Sequence, residues 1–324
     1  LLHPIANLAG KPCTLTLSNG SQVASFFPLD ISPNQPFKNL SGISHRAATG
    51  ESVKVEFSGE IFETEDHRNW SDASYKTYST PIELPFPAKV SKGEKIEQEI
   101  QISLEGIASK EPEPSEVEIA IDISPSEIDL PDIGLCLAND YSDSDHQDFN
   151  DLGIKHLRLD LDLDDVDENS LGSALEVTKK LSLKLEISIK AATNYQLSKF
   201  LTTNLDLLGS VSNFIIFSKS SKVTTTEFIS VARQVLGRAA CISGGTDLFF
   251  TEINRGDSVV PGIDQINFSL NPQVHSFDDR TVIQNLATQE VIARNASRIS
   301  AGLKVGIGPI SLRPRFNPNA TAPE

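Results

Sequence analysis

The stretch Asn271-Pro272-Gln273-Val274-His275 alternates hydrogen-bonding side chains with residues that lack them. On an extended chain this places Asn271, Gln273 and His275 on one side, a row suited to hydroxyl or carbonyl recognition. His275 adds an imidazole able to act as general base or acid near neutral pH. Arg158, Asp160 and Asp162 also recur at every second residue, sharing one face of a strand, while Leu157, Leu159, Leu161 and Leu163 take the other. Three charges inside a parallel sheet are costly unless paired, so Arg158 is expected to pair with Asp160 or Asp162. Such a cluster is either a functional site or a structural ion network. Glu186, Lys190, Ser218 and Lys219 stand on or just after further apolar runs. Gly244-Gly245-Thr246-Asp247 is followed by a polar segment holding Glu252, Asn254 and Arg255, which reads as a recognition loop behind a close backbone approach. Arg313 and Arg315 lie in a Pro-rich tail and are able to hold a carboxylate or carbonyl oxygen. Each of these has a plainer reading as well: a solvated loop, a capping histidine, arginines offsetting an acidic surface.

Two motifs are missing. There is no Gly-x-Ser-x-Gly elbow, which disfavours a serine acyl-enzyme. Glu, Asp and His are available as metal ligands, but no dense motif such as His-Glu-x-x-His occurs, so no metal and no cofactor are expected.

The elements that must position these residues change character along the chain. Residues 1–127 alternate short β-like runs with turns. Val53–Phe57, Ile100–Leu104 and, less strictly, Val117–Ile121 follow the period of two of half-buried strands. Pro81, Pro85, Pro87, Pro112 and Pro114 exclude a long helix there, and a β-sandwich-like domain is expected. The segment Ser109–Ser115 reads as a polar loop. Residues 128–324 switch to strand followed by helix. Strands are expected at Ile133–Ala138, His156–Leu163, Lys184–Ile189, Asn213–Phe217, Ala239–Ser243, Gln265–Leu270 and Lys304–Ile307, roughly 22 to 40 residues apart, near the pace of about 30 per unit of a (β/α)₈ barrel. Thr224 and Glu227 look like a capping box for a helix that stops at Gly237, and Asp278 or Asp279 caps one long helix carrying Val282, Leu286, Ile292, Ala296 and Ile299. No Gly-x-Gly-x-x-Gly follows the first strand, which weakens a doubly wound alternative. Seven strands leave an eighth to be expected beyond Glu324.

Composition bounds the partners. A formal charge of −16 disfavours nucleic acid and anionic membranes. No run of apolar residues is long enough for a membrane span, and Leu1–Gly10 does not read as a signal peptide. Cys13, Cys136 and Cys241 are odd in number and widely spaced, as expected of a reducing, cytoplasmic setting. The lack of any Met, even at position 1, implies a segment from inside a longer gene product or one whose modified methionines are not written. A small, neutral molecule is the expected partner; oligomeric state is not legible.

Four separated strings carry a resemblance. Glu65–Tyr78 (EDHRNWSDASYKTY), Gly244–Asp247 with Phe250–Arg255, Asn271–Asp279 (NPQVHSFDD) and Leu312–Thr321 (LRPRFNPNAT) resemble the D-apionate lactonase family, in the same order, within roughly residues 55 to 324. The resemblance implies a β domain followed by a TIM barrel, further C-terminal sequence, and opening of D-apionolactone to D-apionate in bacterial sugar catabolism. Lactone hydrolysis requires an activated water and a group that stabilises the tetrahedral oxyanion. On chemical grounds Glu252 or His275 is the candidate base, with Asp160 as a further catalytic carboxylate. Arg158, Arg313 or Arg315 would sit near the oxyanion. Asn271 and Gln273 would bind sugar hydroxyls, with Glu186, Lys219, Asn254 and Arg255 as further substrate contacts. Trp70 and Tyr75 of the first string are expected either to dock the β domain on the barrel or to contribute to the site. A retaining glycosidase is the rival enzyme, but it needs carboxylates after strands four and seven. Ser218-Lys219-Ser220 and Gly308-Pro309-Ile310 offer none. A non-catalytic carbohydrate-binding protein is the third reading.

Overall fold

The computed structural model describes residues 1–85, 87, 89–106, 130–137, 149, 152–256 and 259–312. Val117–Ile121, Ser109–Ser115, Asn139, Asp140, Arg313 and Arg315 lie outside the described residues. The chain divides into two compact units, Leu1–Pro125 with Val274–Ile292, and Ser126–Gln273 with Ala293–Glu324.

The first unit is built from antiparallel strands β1 (Leu2–Pro4), β2 (Pro12–Leu17), β3 (Gln22–Phe26), β4 (Phe37–Arg46), β5 (Ser52–Ser58), β6 (Phe62–Asp66), β7 (Ser74–Tyr78) and β8 (Glu99–Glu105). The strands run in the order β1-β7-β6-β4-β2-β3, and β5 and β8 branch from β4. The branch has a simple origin. Along one edge β4 pairs with β6 through Phe37 and Leu40 and with β5 through Gly42 to Arg46, while its other edge pairs with β2. A ten-residue strand shared in this way bends the sheet over a single core. Phe27, Leu40, Ile43 and Tyr75 are fully buried in that core, and the Phe27 ring lies 5.5 Å from Phe37 and 5.1 Å from Tyr75. Each such side chain removed from water contributes about 1.5–3 kcal/mol. The alternation read in Val53–Phe57 is realised: Val55 and Phe57 are buried, Lys54 and Glu56 exposed. The apolar face of its partner β8 instead stays open at Ile100, Ile102 and Leu104.

Among the described residues the second unit holds seven parallel strands, β9 (Gly134–Cys136), β10 (His156–Asp162), β11 (Lys184–Ala191), β12 (Val211–Ser218), β13 (Ile242–Phe249), β14 (Gln265–Leu270) and β15 (Lys304–Ile310), in strictly consecutive order. A doubly wound sheet reverses order at a switch point, and this one does not. It is a nearly closed barrel: Arg158 on β10 donates from Nη1 to the Gly308 oxygen on β15 at 2.7 Å, although four strands separate the two along the sheet. Described helices between these strands include α1 (Ser170–Leu181), α2 (Asn194–Thr203), α3 (Leu205–Leu208), α4 (Thr226–Leu236) and α5 (Phe250–Arg255). Outward-facing Leu159, Leu161, Ile187, Ile189, Phe214 and Ile216 form one core with Leu197, Leu201, Phe228, Ile229 and Ala232 of α2 and α4.

The interior face is polar. Arg158, Ser188, Asn213, Ser243, Asn267 and Ser269 are buried at positions where barrels usually stack branched aliphatic residues. Ser243 Oγ donates to Asn213 Oδ1 at 2.7 Å, and Asn213 Nδ2 reaches Glu186 Oε1 at 3.4 Å.

Several local expectations are corrected. The fifth strand does not stop at Ser243 but runs to Phe249, because Gly245 at φ +125° lets β13 pass within a Cβ's reach of β14; a Cβ there would lie 2.1 Å from the Asn267 oxygen. The following segment is not a loop. Phe250 and Ile253, three apart and both buried, seat it as α5. The cap of α4 is Thr225, which accepts from Phe228 N; Thr224 is buried and donates to the Ile216 oxygen. The long helix expected after Asp278 is two helices, α6 (Asp279–Leu286) and α7 (Thr288–Ile299). Asp278 does cap the first, accepting from Thr281 N at 3.0 Å. The break is held by Thr288, whose hydroxyl donates to the Asn285 and Ser71 oxygens, and Leu286 is exposed rather than core.

Candidate functional site

Two groups of chemically able residues stand out, one in each unit. In the second unit a cavity of about 480 Å³ opens at the carboxyl ends of β10 to β13, the end where barrel enzymes carry their sites. Period-two geometry delivers Asp162, Lys190 and Asp247 to its wall, and the loop after β12 adds Lys219, Lys222 and Thr224. Each lysine is matched with carboxylate. Lys190 Nζ lies 3.2 Å from Asp247 Oδ2, Lys222 Nζ lies 3.3 Å from Glu252 Oε1, and Lys219 contacts both Asp162 and Asp164. Partial burial works to lower the Lys219 ammonium, but its hydrogen bonds to Asp162 and Asp164 outweigh this and raise it. The same contacts hold Asp164 below the usual carboxylate range. The cavity therefore presents Lys219 as a cation favoured by its carboxylate partners.

The structure distributes the other expected residues unevenly. Arg158 is 6% exposed at its side chain and pairs with Asp160, Nε to Oδ1 at 2.8 Å, as the alternation predicts. Its Nη1 donates to the Gly308 oxygen and braces the barrel interior, while its buried Nη2 makes no hydrogen bond among the described residues. Glu186 sits at the level of Arg158 in the sheet, beside Asn213 and 3.7 Å from His156, rather than at the cavity wall. Glu252, Asn254 and Arg255 all lie on α5, with Glu252 tied to Lys222. Asn271 is buried; its Oδ1 accepts from Gln273 N at 2.6 Å and its Nδ2 contacts Ser311 Oγ.

His275 departs most from expectation. It does not form a row with Asn271 and Gln273. The chain leaves the second unit after Gln273, and His275 Nδ1 lies 2.6 Å from Asp72 Oδ2 in the first. The string Glu65–Tyr78 explains this. Asp66 caps a 3₁₀ turn at His67–Trp70 and grips Arg68 bidentately, Oδ1 to Nε at 2.9 Å and Oδ2 to Nη2 at 2.7 Å, with both side chains buried. Arg68 also donates to the Pro28 and Leu29 oxygens, and Asn69 to that of Ser32. The turn ends at Ser71 in the left-handed region, φ 74°. This buried polar frame presents His67 and Asp72 on one side. The His67 and His275 rings stack, 4.9 Å apart and 8° from parallel, with Trp70 edge-on to both. Tyr75 is a core residue of the first unit, its hydroxyl donating to the Pro28 oxygen.

His67 and Asp72 were not among the expected site residues. The signal available was that Glu65–Tyr78 is too polar for a plain strand; what it faces, 203 residues later, was not readable.

Comparison with known proteins bears on both units. A family model described as the D-apionate lactonase N-terminal domain matches residues 1–107, and one described as the D-apionate lactonase TIM barrel domain matches residues 133–324. The chain belongs to the D-apionate lactonase family. Among curated proteins, a D-apionate lactonase of Brucella anthropi is 26% identical in an alignment covering 98% of this chain and 56% of that protein. The chain thus spans little more than half the length of that relative. Among solved structures, an HpcH/HpaI aldolase from Desulfitobacterium hafniense DCB-2 has 14% identity and a TM-score of 0.32, covering 54% of this chain and 76% of its own. A β-glucuronidase from Ruminococcus gnavus, in complex with C6-substituted uronic isofagomine, has 11% identity and a TM-score of 0.38, covering 91% of this chain and 59% of its own. Likeness at that level carries no argument about activity. Within the D-apionate lactonase family models, the N-terminal one contains His67 and Asp72, and the barrel one contains His275 and the whole cavity wall.

Proposed function

We propose that this chain forms the β domain and barrel of a sugar lactone hydrolase that opens D-apionolactone to D-apionate. The observation that carries the reading is that both lactonase models match, in order, over nearly the whole chain. The cavity at the barrel mouth supports it. A lactone is a small neutral ester, and the paired lysines Lys190 and Lys219 supply positive field to a carbonyl oxygen that becomes negative in the tetrahedral intermediate. Water attacks the carbonyl carbon as a base takes its proton. The ring C–O bond then breaks, the leaving alkoxide is reprotonated, and a hydroxy acid is released. Glu252 and Asp247, each held beside a lysine of the cavity wall, are the candidates for that base. Lys190 and Lys219 line the cavity and Arg158 does not, which favours the lysines over it as the oxyanion's partner. No helix among the described residues is long and apolar enough to cross a membrane. The odd, widely spaced cysteines Cys13, Cys136 and Cys241 support a reducing, cytoplasmic setting, and the partner is a small molecule.

Acid release in a pH-stat, from D-apionolactone and a panel of other sugar lactones, tests the reading on this chain and on the whole gene product. Hydrolysis of D-apionolactone is expected. Release of chromogenic aglycones from glycosides with no acid from any lactone would replace it with a glycosidase.

A further inference from the structure

His67, Asp72 and His275 each place one ligand atom within 4.8 Å of the other two. We infer that these three side chains form a binding site for a divalent transition-metal cation. Two imidazoles and one carboxylate suit zinc and its neighbours, whereas magnesium and calcium prefer all-oxygen sets.

The surroundings are those of a ligand set held in advance. Asp72 is 8% exposed at its side chain and His67 is buried, while His275 is 44% exposed at its side chain and so gives access from solvent. His67 Nε2 lies 3.1 Å from Glu65 Oε1, which Lys76 Nζ also approaches at 3.1 Å. A carboxylate on the far nitrogen is the usual outer partner of a metal-bound histidine; it sets the tautomer and strengthens the ring as a donor. The other nitrogen, Nδ1, makes a long 3.5 Å contact with Ser74 Oγ. The buried Asp66–Arg68 pair fixes the turn that carries His67.

Asp72 and His275 are now joined by a hydrogen bond of 2.6 Å. Tetrahedral bonds of ~2.0–2.1 Å place ligand atoms about 3.3 Å apart, so the pair must separate by less than ~1 Å, with the cation taking the place of the shared proton. His275, in the segment between β14 and α6, is the exposed partner and the one able to shift. Three protein ligands leave a fourth position for water or a ligand oxygen.

The inference stands apart from the lactonase reading, because metal content is measured without substrate. The purified chain is stripped with chelator, dialysed against Zn²⁺, Co²⁺ or Mg²⁺, and assayed by elemental analysis and titration calorimetry. One equivalent of Zn²⁺ per chain is expected, with Mg²⁺ not retained and Co²⁺ giving the visible d–d bands of nitrogen–oxygen coordination. His275→Ala, at an exposed position, should abolish stoichiometric binding while leaving the circular dichroism spectrum unchanged; Asp72→Asn should do the same. Glu65→Gln should weaken binding by about 10–100-fold. Wild-type protein that retains no Zn²⁺, or Zn²⁺ retained equally by the Asp72 and His275 variants, would overturn the site and leave a hydrogen-bonded Asp–His pair.

Discussion

Arg158 on the second barrel strand and Gly308 on the seventh are joined by a 2.7 Å hydrogen bond, and the same guanidinium pairs with Asp160. One side chain thus braces the barrel across its interior. Arg158→Met is expected to lower unfolding free energy by about 1–3 kcal/mol, since Asp160 keeps solvent access and the Gly308 carbonyl is left unpartnered. Urea denaturation of the purified protein measures this; a change near zero would show that the brace is dispensable.

A larger loss is expected in the first unit. Arg68 and Asp66 are 1% and 0% exposed at their side chains, and Arg68 also serves backbone carbonyls. Arg68→Ala leaves a buried carboxylate and orphaned carbonyls, at a cost of about 3–5 kcal/mol. The thermal midpoint should fall sharply, and the near-ultraviolet signal of Trp70 should change with it.

Gly245→Ala tests the approach of β13 to β14. The new methyl would lie 2.1 Å from the Asn267 oxygen at a φ that L-residues rarely adopt, so destabilisation of at least about 1–3 kcal/mol is expected, read as a shift of the denaturation midpoint. By contrast, Gly172→Ala on α1, where nothing lies near the new methyl, should be neutral or stabilising.

For activity, Glu252→Gln is expected to cut lactone hydrolysis by about 10²–10⁴-fold, as loss of the base. Retention of activity in that variant, with Asp247→Asn inactive, would move the base to the cavity wall. Steady-state rates on D-apionolactone decide between them.

The pH dependence of stability has a worked sign at His3. Burial, with smaller contributions from His45 and the N-terminal ammonium, holds its imidazole down to about 4, and its Nε2 lies 2.9 Å from Thr77 Oγ1. Between that value and the ordinary 6.5 the unfolded chain binds the proton and the folded chain does not, so stability falls as pH drops through this window. His3→Gln should flatten that slope in denaturation curves at pH 7, 5.5 and 4. Asp278 acts lower: hydrogen bonds from Ser276 and Thr281 bring its carboxyl to about 2, and its capping contribution is lost as pH falls from about 3.8 towards that value.

All seven barrel strands were legible, because each is an apolar run whose outward face must meet helices; Leu157, Leu159 and Leu161 show this most clearly. Local errors arose where a backbone device interrupts the pattern. Gly244-Gly245 looked like the end of a strand and is instead the place where two strands crowd together. Asn285 and Thr288 looked compatible with one continuous helix, but their polar groups are spent on the first unit's backbone at Ala73 and Ser71. The cavity wall was partly readable, as Lys190 and Lys219 close strands at the right end. The Asp72–His275 contact was not, because nothing local in either string names a partner two hundred positions away.

The excursion of residues 274–292 has a practical consequence for dissection. This stretch departs from the parallel sheet after β14, docks on the antiparallel unit through Asp72, Ala73 and Ser71, and returns in time to form β15. A scissor cut near residue 127 would therefore strand α6 on the wrong fragment, depriving the front half of His275 and leaving the back half with an unmatched helix. A transplantable version of either half would have to be rewired: the excursion grafted onto the β unit's own terminus, and a short bridge written between β14 and α7.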